Sequence, residues 1–202
     1  MLKKTTLLFA LVVINVKLAT AQSLSIGPMI GVNVSKIDAA PNTKGLVGVA
    51  LGGFANYSVN EHVGVGAKIL YSQLGSAYTF NDDINRLHYL QLPVTGIYYF
   101  GDAGNQFRPK LFAGLYVGSL LRANYRSGDE VLNGDGQKTY NNIDFGGLAG
   151  LGFNYRIKSR TWLNVDAGFS RGFTDIARAV ENDYRNIGFS LNVGVSFPVS
   201  VK

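Results

Sequence analysis

The sequence predicts an all-β fold: an eight-stranded antiparallel transmembrane up-and-down β-barrel. Three observations lead there. Eight stretches alternate large apolar residues with small or polar ones at a period of two, the side-chain repeat of a strand. Most run to 12 residues or more, beyond the roughly 9–11 that a tilted strand needs to cross a bilayer. The connections alternate long and short, starting with long, which in a barrel gathers the long ones at one end.

Taken in order, the first strand runs from Leu24 to Ser35. Leu24, Ile26, Pro28, Ile30, Val32 and Val34 share one face, and Met29, Asn33 and Ser35 with Gly27 and Gly31 share the other. Pro28 cannot donate to a ladder and marks an irregularity. After the polar loop Lys36 to Lys44, the second strand, Gly45 to Val59, sets Val47, Val49, Leu51 and Tyr57 against Gly48, Ala50, Phe54 and Asn56. A tight turn at Asn60-Glu61 leads to the third, His62 to Gly75, with Val63, Val65, Ile69 and Tyr71 opposing Lys68, Leu70 and Ser72. Ser76 to Asn85 is a second polar loop. The fourth strand, Arg86 to Phe100, sets Leu90, Leu92, Val94 and Tyr98 against Tyr89, Gln91, Thr95 and Tyr99.

Gly101 to Arg108 is a turn. The fifth strand, Pro109 to Tyr125, opposes Leu111, Leu115, Val117 and Leu121 to Lys110, Phe112, Tyr116 and Arg122. Arg126 to Asn141 is the longest loop. The sixth, Asn142 to Ile157, sets Ile143, Phe145, Leu151 and Tyr155 against Asp144, Gly146, Gly150 and Arg156, and the short turn Lys158-Ser159-Arg160 follows. The seventh, Thr161 to Thr174, sets Leu163, Val165, Phe169 and Phe173 against Trp162, Asn164 and Asp166. Asp175 to Arg185 is a loop with room for one helical turn around Ile176 to Val180. The eighth, Asn186 to Phe197, is the cleanest: Ile187, Phe189, Leu191, Val193, Val195 and Phe197 alternate with Asn186, Ser190, Asn192, Ser196 and glycines. It must pair with the first strand to close the ring, which leaves no free edge.

Lys3 and Lys4, the apolar run Leu7 to Val16 and the small-residue site Ala19-Thr20-Ala21 read as a signal peptide over residues 1–21, with the barrel domain over 22–202. The run is too short to span a bilayer as a helix. Its removal takes away Lys3, Lys4 and Lys17 and no acid, so the formal charge of +6 falls to +3. That charge is too small and too scattered for nucleic acid. The absence of cysteine excludes disulfides, thiolate metal sites and a lipidated cysteine.

A soluble secreted barrel would turn its apolar face inward around a ligand. The second face here, rich in glycine, serine and alanine, would make a poorly solvated exterior. As the interior of an eight-stranded barrel, which encloses only packed side chains, it is apt. The apolar face therefore meets lipid, with Tyr57, Tyr71, Phe100, Tyr125, Phe145, Tyr155, Phe173 and Phe197 near strand ends as interfacial girdles.

Leu70-Tyr71-Ser72-Gln73-Leu74-Gly75, Tyr89-Leu90-Gln91-Leu92-Pro93, Gly114-Leu115-Tyr116-Val117-Gly118 and Asp144-Phe145-Gly146 with Gly150 and Gly152 follow in an order and spacing that resembles a known family. It is the small outer-membrane β-barrel family typical of Bacteroidota, the PorT-like or outer membrane protein β-barrel domain group. The resemblance covers nearly all of the mature chain and implies an outer-membrane barrel. One member serves a protein secretion and gliding system, so it also implies an accessory role in secretion as one expectation. Where such barrels often end on an aromatic residue, Pro198 to Lys202 follow Phe197 here.

Among the inward positions, Lys68, Arg122, Asp144, Arg156 and Asp166, with Lys110, form a polar cluster. A hairpin centred near Asn133 sets Arg122 opposite Asp144 and Tyr116 opposite Gly150; pairing about Ser159 brings Arg156 to Trp162, a cation–π contact. The expected role is structural or partner-binding, with the lumen packed. The alternatives are a small porin-like channel and a lipid-modifying enzyme. For the enzyme, His88 is the one histidine near the external ends, but it faces outward while Ser72 faces inward, out of the reach that nucleophilic catalysis requires. No catalytic, cofactor or metal site is expected. The expected partners are outer-membrane lipid and envelope or secretion proteins at the external loops, with the barrel monomeric and both termini periplasmic.

Overall fold

The computed structural model describes residues 23–38, 40, 42–80, 83–132, 136–178 and 183–199. The targeting segment expected over 1–21 and the tail 200–202 lie outside them. Eight strands, β1 (Ser23–Asp38), β2 (Thr43–Ser58), β3 (Val63–Tyr78), β4 (Ile84–Tyr99), β5 (Phe107–Asn124), β6 (Ile143–Lys158), β7 (Thr161–Gly172) and β8 (Arg185–Val199), follow one another around a closed ring. Every neighbouring pair is antiparallel, and β8 meets β1 in a register that sets Val193 opposite Ile30 and Phe197 opposite Ile26.

The alternation predicts the two faces well. Leu51, Leu151 and Phe189 are 59%, 62% and 65% exposed, while the inward Asp144 and Asn164 are fully buried. A protein that buries its asparagines and exposes a continuous belt of leucine, valine and phenylalanine has the inside–outside order of a membrane barrel. Aromatic pairs mark both rims of the belt: Tyr98 with Phe100 and Phe107 with Phe153 at the short-turn end, Phe145 with Phe173 at the long-loop end.

The strands at the long-loop end run further than the alternation suggested. Ile37, Ala77 and Ile84 continue the buried series past the expected ends, so the β1–β2 and β3–β4 connections shrink to 39–42 and 79–83. Of the connections at this end, 125–142 and 173–184 remain long, and 100–106 at the other end is longer than the first two. The expected alternation of long and short connections therefore fails for the first four and holds for the last three, 125–142, 159–160 and 173–184. Within 173–184, Ala177 forms an isolated antiparallel bridge to Tyr140 where a helical turn was expected to start; residues 179–182 lie outside the described set.

Two irregularities re-aim side chains. In β5 an extra residue, Leu121, separates the pairs Tyr89–Leu120 and His88–Arg122. This bulge reverses the parity beyond it. Arg122 turns outward and Ala123 and Tyr125 turn toward the barrel mouth, so Tyr125 packs with the mouth cluster rather than the lipid girdle. In β3, Gly75 has φ +129°, a conformation that a side chain would strain. The chain there bends over β1, where Gly75 N donates to Ser35 Oγ at 2.9 Å and Ile37 N to Ser76 Oγ at 2.6 Å.

Candidate functional site: the lumen and its long-loop mouth

The lumen is crossed by two polar nodes. In the first, Lys68 Nζ donates to Asp166 Oδ2 at 2.8 Å, and Lys110 Nζ lies 2.7 Å from Asp166 Oδ1 in an ion pair off the line of a hydrogen bond. The three residues come from β3, β5 and β7, so the node ties distant walls together across the interior. Lys68 also stands over the Phe112 ring at 5.5 Å. In the second node Asp144 receives hydrogen bonds from Asn186 Nδ2 at 2.8 Å, Tyr116 Oη at 3.2 Å and Thr174 Oγ1 at 3.4 Å. Asn186 Nδ2 also donates to Tyr89 Oη at 3.3 Å.

Arg122 belongs to neither node. The register of β5 against β6 centres the hairpin two residues before Asn133, and Gly118 opposes Asp144. The Leu121 bulge then sends Arg122 to the outer wall, where its Nη2 donates to Gly128 O at 2.7 Å. The same register places Tyr116 opposite Gly146, and Gly150 takes Phe112 instead. Arg156 opposes Trp162, its guanidinium 5.6 Å from the ring centroid, at the short-turn mouth rather than in the centre.

Arg108, which the sequence pattern places in a turn, is an inward charge at the start of β5. It lies 4.6 Å over the Tyr99 ring, and its guanidinium bonds Glu61 O. The signal was its even spacing from Lys110: the inward series runs one step further than the apolar residues that flank it.

Aromatic rings from one strand lie over glycines of the next strand or of the one beyond it. A Cβ at Gly146 would sit 2.6 Å from the Tyr116 ring and 2.4 Å from Arg171 O; at Gly150 it would sit 2.5 Å from Phe112; at Gly194, 2.6 Å from Phe54. The glycine-rich face thus makes room for rings in a barrel too narrow to hold two large side chains at one level. What space remains is divided. A cavity of about 70 Å³, lined by Asn33, Lys68, Gln91 and Asn192 among others, holds the middle. Another of about 130 Å³ opens beside Arg108 and Trp162.

Over the long-loop mouth, Ile37, Leu74, Leu87, Tyr89, Val131, Tyr140 and Ile176 form a buried apolar cap. Burial raises the Tyr140 phenol above its ordinary value. On the outer wall just below, His88 Nε2 donates to Asn124 Oδ1 at 2.7 Å, which leaves Nδ1 to accept from Tyr71 Oη. Ser72, 1% exposed, points into the lumen on the far side of the wall. At the short-turn end the fold brings Glu61, His62 and Asp102 together, with ligating atoms within 4.8 Å, a grouping that sequence spacing did not suggest.

A closed antiparallel ring with a polar, ion-paired interior and an apolar girdle defines a transmembrane β-barrel. The family model of the outer membrane protein beta-barrel domain matches residues 20–178, and the chain belongs to that family. It is an outer-membrane β-barrel protein of the small eight-stranded kind. Among solved structures it is similar to Neisserial surface protein A (NspA), at 15% identity, with 86% of this chain and 97% of that chain covered and a TM-score of 0.58. It is also similar to Ail, the attachment invasion locus protein of Yersinia pestis, solved in complex with the heparin analogue sucrose octasulfate; identity is 12%, coverage 89% and 99%, TM-score 0.50. At these identities the likeness is one of fold. No curated protein matches the sequence.

Proposed function

We propose that the protein is a rigid outer-membrane anchor with a closed lumen, whose work is structural and partner-binding at the long-loop end. In this reading the long-loop end faces the cell exterior and both termini face the periplasm. Its partners are outer-membrane lipid around the girdle and envelope or secretion proteins at the loops, and the barrel acts as a monomer without catalysis. An accessory part in protein secretion is the finer role that the family resemblance favours.

The observation that carries the closed lumen is Asp166 held between Lys68 and Lys110, with the lysine and aspartate side chains 13%, 2% and 6% exposed. A conducting path would have to part this node, and breaking a buried ion pair costs about 3–5 kcal/mol. His88 supports a non-catalytic reading, since both ring nitrogens are engaged by Tyr71 and Asn124 and Ser72 lies across the wall. The test is planar-bilayer recording of the purified, refolded chain. The closed reading expects a quiet membrane; stable single-channel steps would overturn it in favour of a small pore.

A further inference from the structure

The mouth cap is not filled to its surface. Above it lies a cavity of about 400 Å³ whose wall carries Tyr78, Tyr125, Tyr140 and Tyr184 and no charged side chain among its described lining residues. That volume falls within the roughly 300–1,000 Å³ of small-ligand pockets. Its floor is preformed, because Ile37, Val131 and Tyr140 belong to the buried cap.

Two polar atoms in this wall lack a partner among the described residues. Asn85 is 8% exposed, and its Nδ2 donates to Tyr78 Oη and to Tyr140 Oη, each at 2.9 Å. Those bonds use the amide nitrogen and leave Oδ1 buried and unpaired. Thr139 Oγ1, in the same wall, is also buried and unpaired. A buried acceptor left unsatisfied is costly, and a ligand hydroxyl that reaches it relieves the cost.

We infer that this pocket is a binding site for a neutral saccharide, with one pyranose ring seated among the tyrosines and its hydroxyls paired to Asn85 Oδ1 and Thr139 Oγ1. The aromatic faces suit the C–H face of a sugar ring. The described residues of the wall give no counter-charge to a phosphate, a sulfate or a carboxylate. A quaternary ammonium would suit the aromatic rings, but it has no donor for the Asn85 oxygen. The saccharide belongs to a membrane glycolipid or to a soluble sugar; both present the same ring chemistry. The site deepens the partner-binding reading of the long-loop end and rests on it only for which side of the membrane supplies the sugar.

The experiment uses the full chain refolded into phospholipid nanodiscs, where both ends are open to solvent, so the result is independent of orientation and of conductance. The probes are methyl pyranosides at millimolar concentration, read by saturation-transfer NMR, with tetramethylammonium as the competing chemistry. Binding of a pyranoside is expected, weakened about three- to tenfold by Thr139→Val and by Asn85→Leu. Thr139→Val is nearly isosteric, and barrel folding in both variants is checked by gel migration before and after heating. Three results would overturn the inference: no pyranoside binds, both variants bind as well as wild type, or tetramethylammonium binds where the sugars do not. Loss of pyranoside binding in discs containing lipopolysaccharide supports the site with a glycolipid as its source. Retention there supports it with a soluble sugar.

Discussion

Replacing Asp166 by asparagine tests whether the lumen is held shut by charge. The aspartate is 4% exposed, and Lys110, 2% exposed, has no other anion among its described partners. At an effective dielectric of about 20, each contact pair supplies roughly 4 kcal/mol of attraction before desolvation is charged against it. The neutral amide can still accept from one ammonium, but two lysines then face each other across the interior. Lys68, 13% exposed at its side chain, can shift toward the cavity beside Asn192 and Gln91, whereas Lys110 has nowhere to go. The expected loss is therefore near the lower end of the range for a broken buried pair, about 3 kcal/mol. Urea unfolding from liposomes would measure it through the fluorescence of Trp162, the single tryptophan. Removing the stranded charge as well, in Asp166→Asn with Lys110→Met, should recover most of the loss. An Asp166→Asn barrel within about 1 kcal/mol of wild type, or a double variant no more stable than the single, would refute the brace.

Other consequences follow from the same geometry. Val193→Arg puts a charge on the lipid face opposite Ile30 and Val165, and should cost roughly 2–4 kcal/mol near the bilayer midplane; folding into liposomes as efficiently as wild type would mean the faces are assigned backwards. Gly146→Ala drives a methyl group against Arg171 O and the Tyr116 ring, for about 1–3 kcal/mol of overpacking, and Tyr116→Ala in the same chain should relieve part of it in a double-mutant cycle. Trypsin added to intact cells should cleave after the exposed Arg126 and spare the exposed Arg160 at the other end; the reverse pattern would invert the topology. The cap should also loosen in alkali. Burial raises the Tyr140 pKa above the unfolded value of about 10, so its contribution is whole below that pH and declines as pH climbs toward the folded pKa. Hydrogen exchange of the cap should show that decline, and Tyr140→Phe should reduce it, leaving what the buried Tyr89 contributes.

The barrel was legible because its information is one-dimensional. A strand with lipid on one side and a narrow lumen on the other has two environments and a period of two, so the sequence of β8 alone sorts its residues onto faces. Strand ends were less legible because the alternation persists into the cap. Ile37, Ala77 and Ile84 bury against the mouth rather than face lipid, and apolar residues read the same in either setting.

The polar cluster shows where parity stops being enough. Lys68, Lys110 and Asp166 meet because their strands keep their phase through the middle of the barrel, Lys110 lying well before the β5 bulge, so knowing the face of each sufficed to place all three in one lumen. Arg122 obeys the same parity on paper, yet one added residue, Leu121, sends it through the wall. Nothing in Ser119-Leu120-Leu121-Arg122 marks a bulge, since leucine and serine fit either face. The bulge is chosen by what it satisfies downstream: Ala123 drops in beside Leu87 and Tyr125 reaches the cap, while Arg122 gains Gly128 O and stays off the lumen. An inward Arg122 would have added a cation to the mouth, beside the apolar cap and the uncharged pocket above it. Removing Leu121 therefore makes a sharp test: the deletion closes the bulge yet leaves Arg122 outward opposite His88 and Ala123 inward opposite Leu87, so hydrogen exchange at Val131 and Tyr140 should stay as slow as in wild type. Faster exchange there in a barrel that still folds would mean that the bulge does more for the mouth than set the phase of the strand.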